Sequence, residues 1–350
     1  MMAFDIECRF NKKYGLLTRK ILRALSENSR VTLSELEAQL GVSRRTLAKR
    51  LKLIEKEFGI RYTLDISKRK IGLNNPHLIL VKLRKKARRA ELEEFIRGSY
   101  VPQLIVPIKG TYDMLIYANA ASFKDYMDWD RGARRKLMIK YGMRWEHSQV
   151  VFTRLGFIPL RDEAIEHSKI PEGDKKMLVL LNGNSRMQCK ELAKMLNLNY
   201  KTCIYRFNSL VKHKYIRRFT ISMDKPKDVS LMSYFVRYIP TDESGKAKSY
   251  SQMMFASDEQ NSLVSRYALK MSLIGSYDSF ALGAFDNAGM GRKHLVRAYK
   301  ELFGRFSPIK SEYGELQKPL LGRLPIRSMD IKIEYYSKSR SRNVEAAGAA

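Results

Sequence analysis

Acidic residues are scarce in this sequence. Asp and Glu number 36 against 66 Lys and Arg, a formal net charge of +30 over 350 residues. Such an imbalance speaks to partners rather than to fold, and a polyanion bound this way is released by salt. Adaptation to high salt or heat is the alternative, but hot-adapted chains balance their cations with Glu. Cysteine is scarcer still. Cys8, Cys189 and Cys203 are too few and too scattered for a disulfide framework or a zinc knuckle. The five histidines, His77, His147, His167, His213 and His294, show no metal-ligand spacing, so no metal site is expected. There is no phosphate-cradling glycine loop and no nucleophile elbow. The Gly289 and Gly291 fragment lacks a preceding strand. No apolar run approaches the ~20 residues of a membrane span, and MMAFDIECRFNKKYG at the start has no signal-peptide core. These absences predict a cytoplasmic, nucleoid-associated chain with no membrane contact, no cofactor and no enzymatic activity.

What is abundant is organised. Leu33 to Leu53, LSELEAQLGVSRRTLAKRLKL, reads as a short helix, a tight turn and a strongly basic second helix. Leu33, Leu36 and Leu40 recur at helical spacing. Thr32 and Glu35 have capping-box spacing, Gly41 suits the left-handed stop, and Ser43 suits the next N-cap. Leu47, Leu51 and Ile54 continue an apolar stripe, while Arg44, Arg45, Lys49, Arg50 and Lys52 crowd the positions outside it. That is the shape that enters a DNA major groove. Arg44, Arg45 and Lys49 fall where base edges are reached, and Arg50 and Lys52 where phosphate is. Ser43 and Thr46 complete the candidate set. The bland alternative is a solvated basic face. Upstream, residues 1–15 read as a short arm, and a helix capped by Thr18 presents Ile21, Leu22 and Leu25. Ile60 to Ile66 reads as a wing strand.

The pattern occurs twice. Lys176 to Arg217 aligns without a gap on Lys20 to Arg61, matching Asn28-Ser29-Arg30 to Asn184-Ser185-Arg186 and Arg50 to Arg206. Cys189 and Cys203 stand on Leu33 and Leu47, and so read as small core hydrophobes. The second basic helix offers Asn199, Tyr200, Lys201, Thr202, Tyr205 and Arg206 as candidate DNA contacts, with fewer cations and more aromatic surface. Two readings stay open: it reads an unlike half-site, or it has become a packing module through Tyr200, Tyr205 and Phe207. RKKARR at 84–89 is either a phosphate-tracking flank or a solvated helix start.

Each unit precedes a β-α-β-β-α-β pattern. In the first, strands are expected at His77–Leu83, Gln103–Ile108, Tyr112–Ala118 and Gln149–Ile158, with helices at Ala87–Arg97 and Ala121–Tyr141. In the second, strands are expected at Met232–Ile239, Leu269–Ile274 and Tyr277–Ala284, with helices at Ser251–Tyr267 and Lys293–Phe303. IKGTYDMLIYA at 108–118 is echoed by LIGSYDSFALGA at 273–284. Residues 304–326 resist assignment, and Asp330–Tyr336 reads as one more strand. The predicted class is α+β. Winged helix-turn-helix domains cover 1–70 and 161–227, ferredoxin-like domains cover 71–160 and 228–336, and a disordered basic tail covers 337–350. The two αβ domains are expected to pair.

A helix-turn-helix followed by a βαββαβ domain with a Gly-x-Tyr-Asp turn resembles the Lrp/AsnC (feast–famine) transcription regulators. LSELEAQLGVSRRTLAKRLKLIE at 33–55, GTYDMLIYA at 110–118, CKELAKMLNLNYKTCIYRFNSLV at 189–211 and GSYDSFALGA at 275–284 carry the likeness. The resemblance implies a sequence-specific regulator that binds double-stranded DNA and pairs through its αβ sheets, within the chain and as a homodimer. It also implies a small effector of the amino-acid class near Gly110, Tyr112 and Asp113 and near Gly275, Tyr277 and Asp278. The chain departs in fusing two copies, in Asn197 where Gly is usual, and in Glu37 where alanine is usual. Two alternatives remain. One is an architectural DNA-binding protein of little sequence choice. The other is a ligand-sensing or siroheme-decarboxylase-like αβ protein with vestigial helix-turn-helix units.

Overall fold

A computed structural model describes residues 9–88, 91–92, 99–224, 229–240, 267–285, 287–293 and 306–324. Helix α1 (Arg9–Glu27) breaks at Gly15, whose φ of 76° and ψ of 165° restart the helix there. Thr18 is therefore buried inside the second segment and is not its N-cap. Helix α2 (Leu33–Leu40) opens on the expected capping box: the Glu35 amide donates to the Thr32 hydroxyl and the Thr32 amide to the Glu35 carboxylate. It stops at Gly41, φ 65°. Helix α3 (Arg44–Phe58) is capped by Ser43, and Leu47, Leu51, Ile54 and Phe58 form its buried side. Strand β1 (Arg61–Ile66) is the wing.

The first αβ unit follows with β2 (Asn75–Leu83), β3 (Pro102–Gly110), β4 (Met114–Ala120), α4 (Phe123–Tyr141) and β5 (Met143–Leu155). Strand β5 begins six residues before the expected Gln149, directly after the Gly142 cap of α4. The predicted helix at 87–97 lies mostly outside the described residues. Helices α5 (Asp162–Glu166), α6 (Glu172–Gly183), α7 (Cys189–Met195) and α8 (Tyr200–Lys212) and strand β6 (Ile216–Ser222) form the second winged unit. Strands β7 (Ser230–Pro240), β8 (Tyr267–Gly275), β9 (Ser279–Phe285) and β10 (Phe306–Leu316) complete the described strands. Strand β10 lies in the stretch that resisted assignment. The predicted helix at 251–267 and strand at 330–336, most of the helix at 293–303, and the tail at 337–350 fall outside the described residues.

The two αβ units, expected to pair through their sheets, do so edge to edge: their strands join into one closed barrel in the order β10-β3-β4-β2-β5-β8-β9-β7. One seam joins β5 to β8, with Ser148 opposite Gly275; the other joins β10 to β3, with Gly314 opposite Gly110. Closure leaves no free edge between the halves. Alternation along the strands sorts the side chains. Leu78, Leu80, Leu104, Val106, Phe235, Leu273 and Phe280 fill the interior. Ile79, Val81, Ile105 and Ile116 face outward, where Tyr126, Leu137 and Tyr141 of α4 cover them.

The wings are also shared. β1 and β6 pair antiparallel, Thr63 opposite Thr220. Leu64 and Ile66 of β1, with Ile71 and Leu73 beyond it, pack in the core of α6, α7 and α8. Ile221 and Met223 pack with α1, α2 and α3 in return. Fully burying each such aliphatic side chain is worth roughly 1.5–3 kcal/mol, so each winged unit draws stability from its twin.

Candidate nucleic-acid interface

The cationic face of α3 is exposed because its apolar stripe is spent on the core. Ser43, Arg44, Arg45, Thr46, Lys49 and Lys52 are exposed, and Arg50 is half-buried. Arg44 does not stand free: its Nε donates to Glu37 at 2.7 Å. That contact, followed by the amide of Arg44 itself, lowers the Glu37 pKa. Arg45, Lys49 and Lys52 have no ion-pair partner among the described residues. They present three uncompensated cations on one face, the footprint that duplex phosphates and guanine edges recognise.

The second helix is built alike and dressed differently. Asn199 caps α8 by accepting from the Lys201 amide at 2.9 Å, and Asn197 takes the left-handed turn conformation at φ 51°. Lys201, Thr202, Tyr200 and Tyr205 are exposed, the last at 75%. Arg206 is turned back to Asp174 at 3.1 Å. Cys203 is fully buried, its thiol donating to the Cys189 carbonyl and its pKa raised by burial.

What fixes the two helices relative to one another is a polar clamp on an approximate twofold axis. The Ser29 and Ser185 hydroxyls meet at 2.7 Å, buried. Arg30 donates to the carbonyls of Ser185 and Met187, and Arg186 to those of Ser29 and Val31. The Arg30 guanidinium lies over Phe207 and Phe219, and that of Arg186 over Tyr62. The repeat aligns these residues without revealing their role; their signal in the sequence is a polar triplet present in both copies inside a turn.

The Gly-x-Tyr-Asp turns close the barrel. A Cβ on Gly110 would lie 2.4 Å from the Tyr313 carbonyl, and one on Gly275 would lie 2.6 Å from the His147 carbonyl. Both glycines let one strand cross the other at its seam. Tyr112 and Tyr277 are buried and share a hydroxyl contact of 2.8 Å; burial raises both their pKa values. The Asp113 amide donates to the Val81 carbonyl and the Asp278 amide to the Val236 carbonyl. The Asp113 carboxylate accepts from the Leu83 amide at 2.8 Å and from Lys82 at 3.1 Å.

Two other features lie away from α3. Lys82, Arg84, Lys85 and Lys86, from the strand end and basic run that follow β2, line a cleft of about 510 Å³ with Asp113 and Met114. It sits at the opposite end of β2 from the wings. His77 and His147, 70 residues apart in sequence, meet at 2.7 Å on the outer face of the barrel. His77 stacks on Tyr126 with ring centroids 3.5 Å apart, and its Nε2 has no partner. Burial, then the charge on His147, lowers His77 to about 3. Spacing along the chain does not reveal this pair, because strand register creates it. Among the described residues no group of three or more His, Cys, Asp and Glu suits a metal ion, and no helix is long and apolar enough to cross a membrane.

Comparison with known proteins bears directly on this geometry. Residues 18–73 match a family described as HTH domain, and residues 174–217 match winged helix-turn-helix DNA-binding. The chain contains two helix-turn-helix domains. No curated protein matches the sequence. The crystal structure of the siroheme decarboxylase NirDL is similar with a TM-score of 0.53 at 12% identity, over 93% of this chain and 99% of that one. The same enzyme in co-complex with an iron-uroporphyrin III analogue gives the same values. A transcriptional regulator from Neisseria meningitidis in complex with L-Met aligns over 39% of this chain and 89% of its own, at 22% identity and a TM-score of 0.34.

The expectation that this chain is no enzyme is overturned by these matches. An architecture that fits it nearly end to end is that of a decarboxylase.

Proposed function

We propose that this chain is a sequence-specific, double-stranded DNA-binding transcription regulator of Lrp/AsnC type that carries two reading units in one polypeptide. The observation that carries the reading is the uncompensated cationic face of α3, with Arg45, Lys49 and Lys52 exposed on a helix locked by its apolar side. Arg45 and Lys49 contact base edges, while Lys52 and Arg50 contact phosphate. The α8 face contributes Lys201, Thr202 and the exposed tyrosines. An amino-acid-class effector at the Gly-x-Tyr-Asp turns would reach the Asp113 carboxylate, 41% exposed, from outside the barrel.

Selection of duplexes from a random pool, followed by titration at several salt concentrations, tests this reading. A regulator holds its selected site about a thousandfold or more tighter than random duplex at fixed salt. An architectural binder shows a steep salt slope with no such ratio. Failure to bind duplex in dilute buffer would remove the reading altogether.

A second reading, a siroheme-decarboxylase-like enzyme, is favoured by the shared two-unit fold and by the part-buried His77–His147 pair. Adding siroheme to the purified chain distinguishes the two. A shifted Soret band and released carbon dioxide belong to the enzyme, and an unchanged spectrum belongs to the regulator.

A further inference from the structure

Where the barrel meets the wings, the chain leaves a cavity of about 430 Å³. Gly59 and Arg61 line it where α3 ends and β1 begins; Ser222 at the end of β6 and Met223 and Asp224 just beyond it line it too. The third wall is the strap from Lys318 to Leu324 that leaves β10. The strap is pinned to β3: the Leu320 amide donates to the Ile105 carbonyl at 2.8 Å, and the Ile105 amide to the Leu321 carbonyl at 3.0 Å. A Cβ on Gly322 would lie 2.0 Å from the Gln103 carbonyl, so the strap sits as close to β3 as backbone allows.

Cations outnumber carboxylates among the cavity's lining residues. Arg61, Lys318 and Arg323 face one carboxylate, Asp224, and none of the four forms an ion pair among the described residues. Asp224 lies against Gly59, on the helix side. Arg323 is held in place, with Nη1 donating to the Thr63 hydroxyl at 2.8 Å and to the Asn182 carbonyl at 3.3 Å. Burial lowers the Arg323 pKa; the Asp162 carboxylate opposes that shift, and the nearby Arg61, to a smaller degree, adds to it. Like charges held close beside low-dielectric walls are relieved by an anion between them. Met223, Pro319 and Leu324 supply those walls, and the volume lies in the range of small-molecule pockets. A duplex backbone is too broad to enter it.

We propose that this junction cavity binds a small organic polyanion, carrying two or three carboxylate or phosphate groups, between Arg61, Lys318 and Arg323. The bound anion joins the strap of the barrel to the root of α3 and to both wings. Its effect on DNA reading rests on the function proposed above, but the binding itself does not.

Titration calorimetry of the full chain with citrate, and separately with inorganic pyrophosphate, at about 0.15 M salt tests the site. A chain of net charge +30 attracts anions everywhere, so the comparison between variants decides. Arg61→Gln with Lys318→Gln weakens the probe at least tenfold, while Lys124→Gln on α4 leaves it unchanged. If the double variant melts early, Lys318→Gln alone, an exposed side chain, carries the test with about a threefold loss. Citrate binding alone assigns carboxylate ligands, and pyrophosphate binding alone assigns phosphate esters. Binding of neither probe, or equal binding by all variants, overturns the site. No DNA enters this measurement, so its failure leaves the regulator reading standing, and a chain that ignores duplex but binds citrate leaves the site standing.

Discussion

At the barrel seams the two halves do the same thing twice. Gly110 crosses the Tyr313 carbonyl as Gly275 crosses that of His147, and Tyr112 meets Tyr277 hydroxyl to hydroxyl. On the exposed faces of the reading helices that agreement is gone. Arg44, Arg45, Lys49 and Lys52 stand, position for position, against Tyr200, Lys201, Tyr205 and Asn208. A residue on an approximate twofold axis packs against its own counterpart, so a change there disturbs both copies. A residue facing solvent or a partner is constrained once. Duplication in one chain therefore preserves the scaffold and releases the two faces to read different things.

The largest test of this asymmetry removes each face in turn. Arg45→Ala, Lys49→Ala and Lys52→Ala together should weaken duplex binding by about a hundredfold or more, since one good base contact is worth ~1–3 kcal/mol. Lys201→Ala with Tyr205→Ala should cost about tenfold or less by the same measurement, fluorescence anisotropy at fixed salt. Equal losses would mean equal readers, and a selected site that is a strict palindrome would say the same.

Stability should separate the copies at matched core positions. Leu47 and Cys203 occupy the same place in the repeat and are both fully buried. Leu47→Ala should cost about 3 kcal/mol because it leaves a cavity, and Cys203→Ala about 1 kcal/mol, read by denaturant titration. Comparable losses would show that the second core is packed more tightly than its smaller residue implies.

Inside the two halves, away from the seams, one matched strand position differs in its chemistry, and pH exposes it. By strand register, His77 opposite Gln149 corresponds to Met232 opposite Glu315. His77 is held at about 3 in the folded chain, whereas a free histidine titrates near 6.5. As pH falls through 6.5 the unfolded chain gains a proton that the folded chain refuses until about 3, so stability is lost across that window. At pH 5 the loss should be about 2 kcal/mol, at ~1.4 kcal/mol per pH interval. His77→Met, which copies the second half, should flatten the profile between pH 7 and 5. A profile unchanged by that substitution would place the acid sensitivity elsewhere.

Local features were legible in the sequence because local chemistry sets them. The capping box at Thr32, the left-handed turn at Gly41 and the apolar stripe of α3 depend on residues a few positions apart. The repeat was legible too, and with it the core roles of Cys189 and Cys203. The fused barrel was not, because the pairing of β5 with β8 and of β10 with β3 joins residues far apart in sequence, and no local signal encodes it. The His77–His147 contact, the Arg30–Arg186 clamp and the Arg323 anchor share that origin. The α3 face was readable as a list of cations, but which of them are free was not.

Arg44 illustrates the point, and it yields the smallest expected effect. Glu37 stands where the second copy has Ala193, and its carboxylate holds the Arg44 side chain at 2.7 Å. The pair is exposed on both sides, so breaking it should leave the melting temperature almost unchanged. What changes is the charge offered to a partner. Glu37→Ala adds Arg44 to the uncompensated face of Arg45, Lys49 and Lys52 and removes a carboxylate that repels phosphate, so duplex affinity should rise about two- to threefold, with a salt slope steeper by about one contact. If affinity falls instead, Glu37 orients Arg44 for a base edge, and the departure from alanine is a specificity device that the second copy lacks.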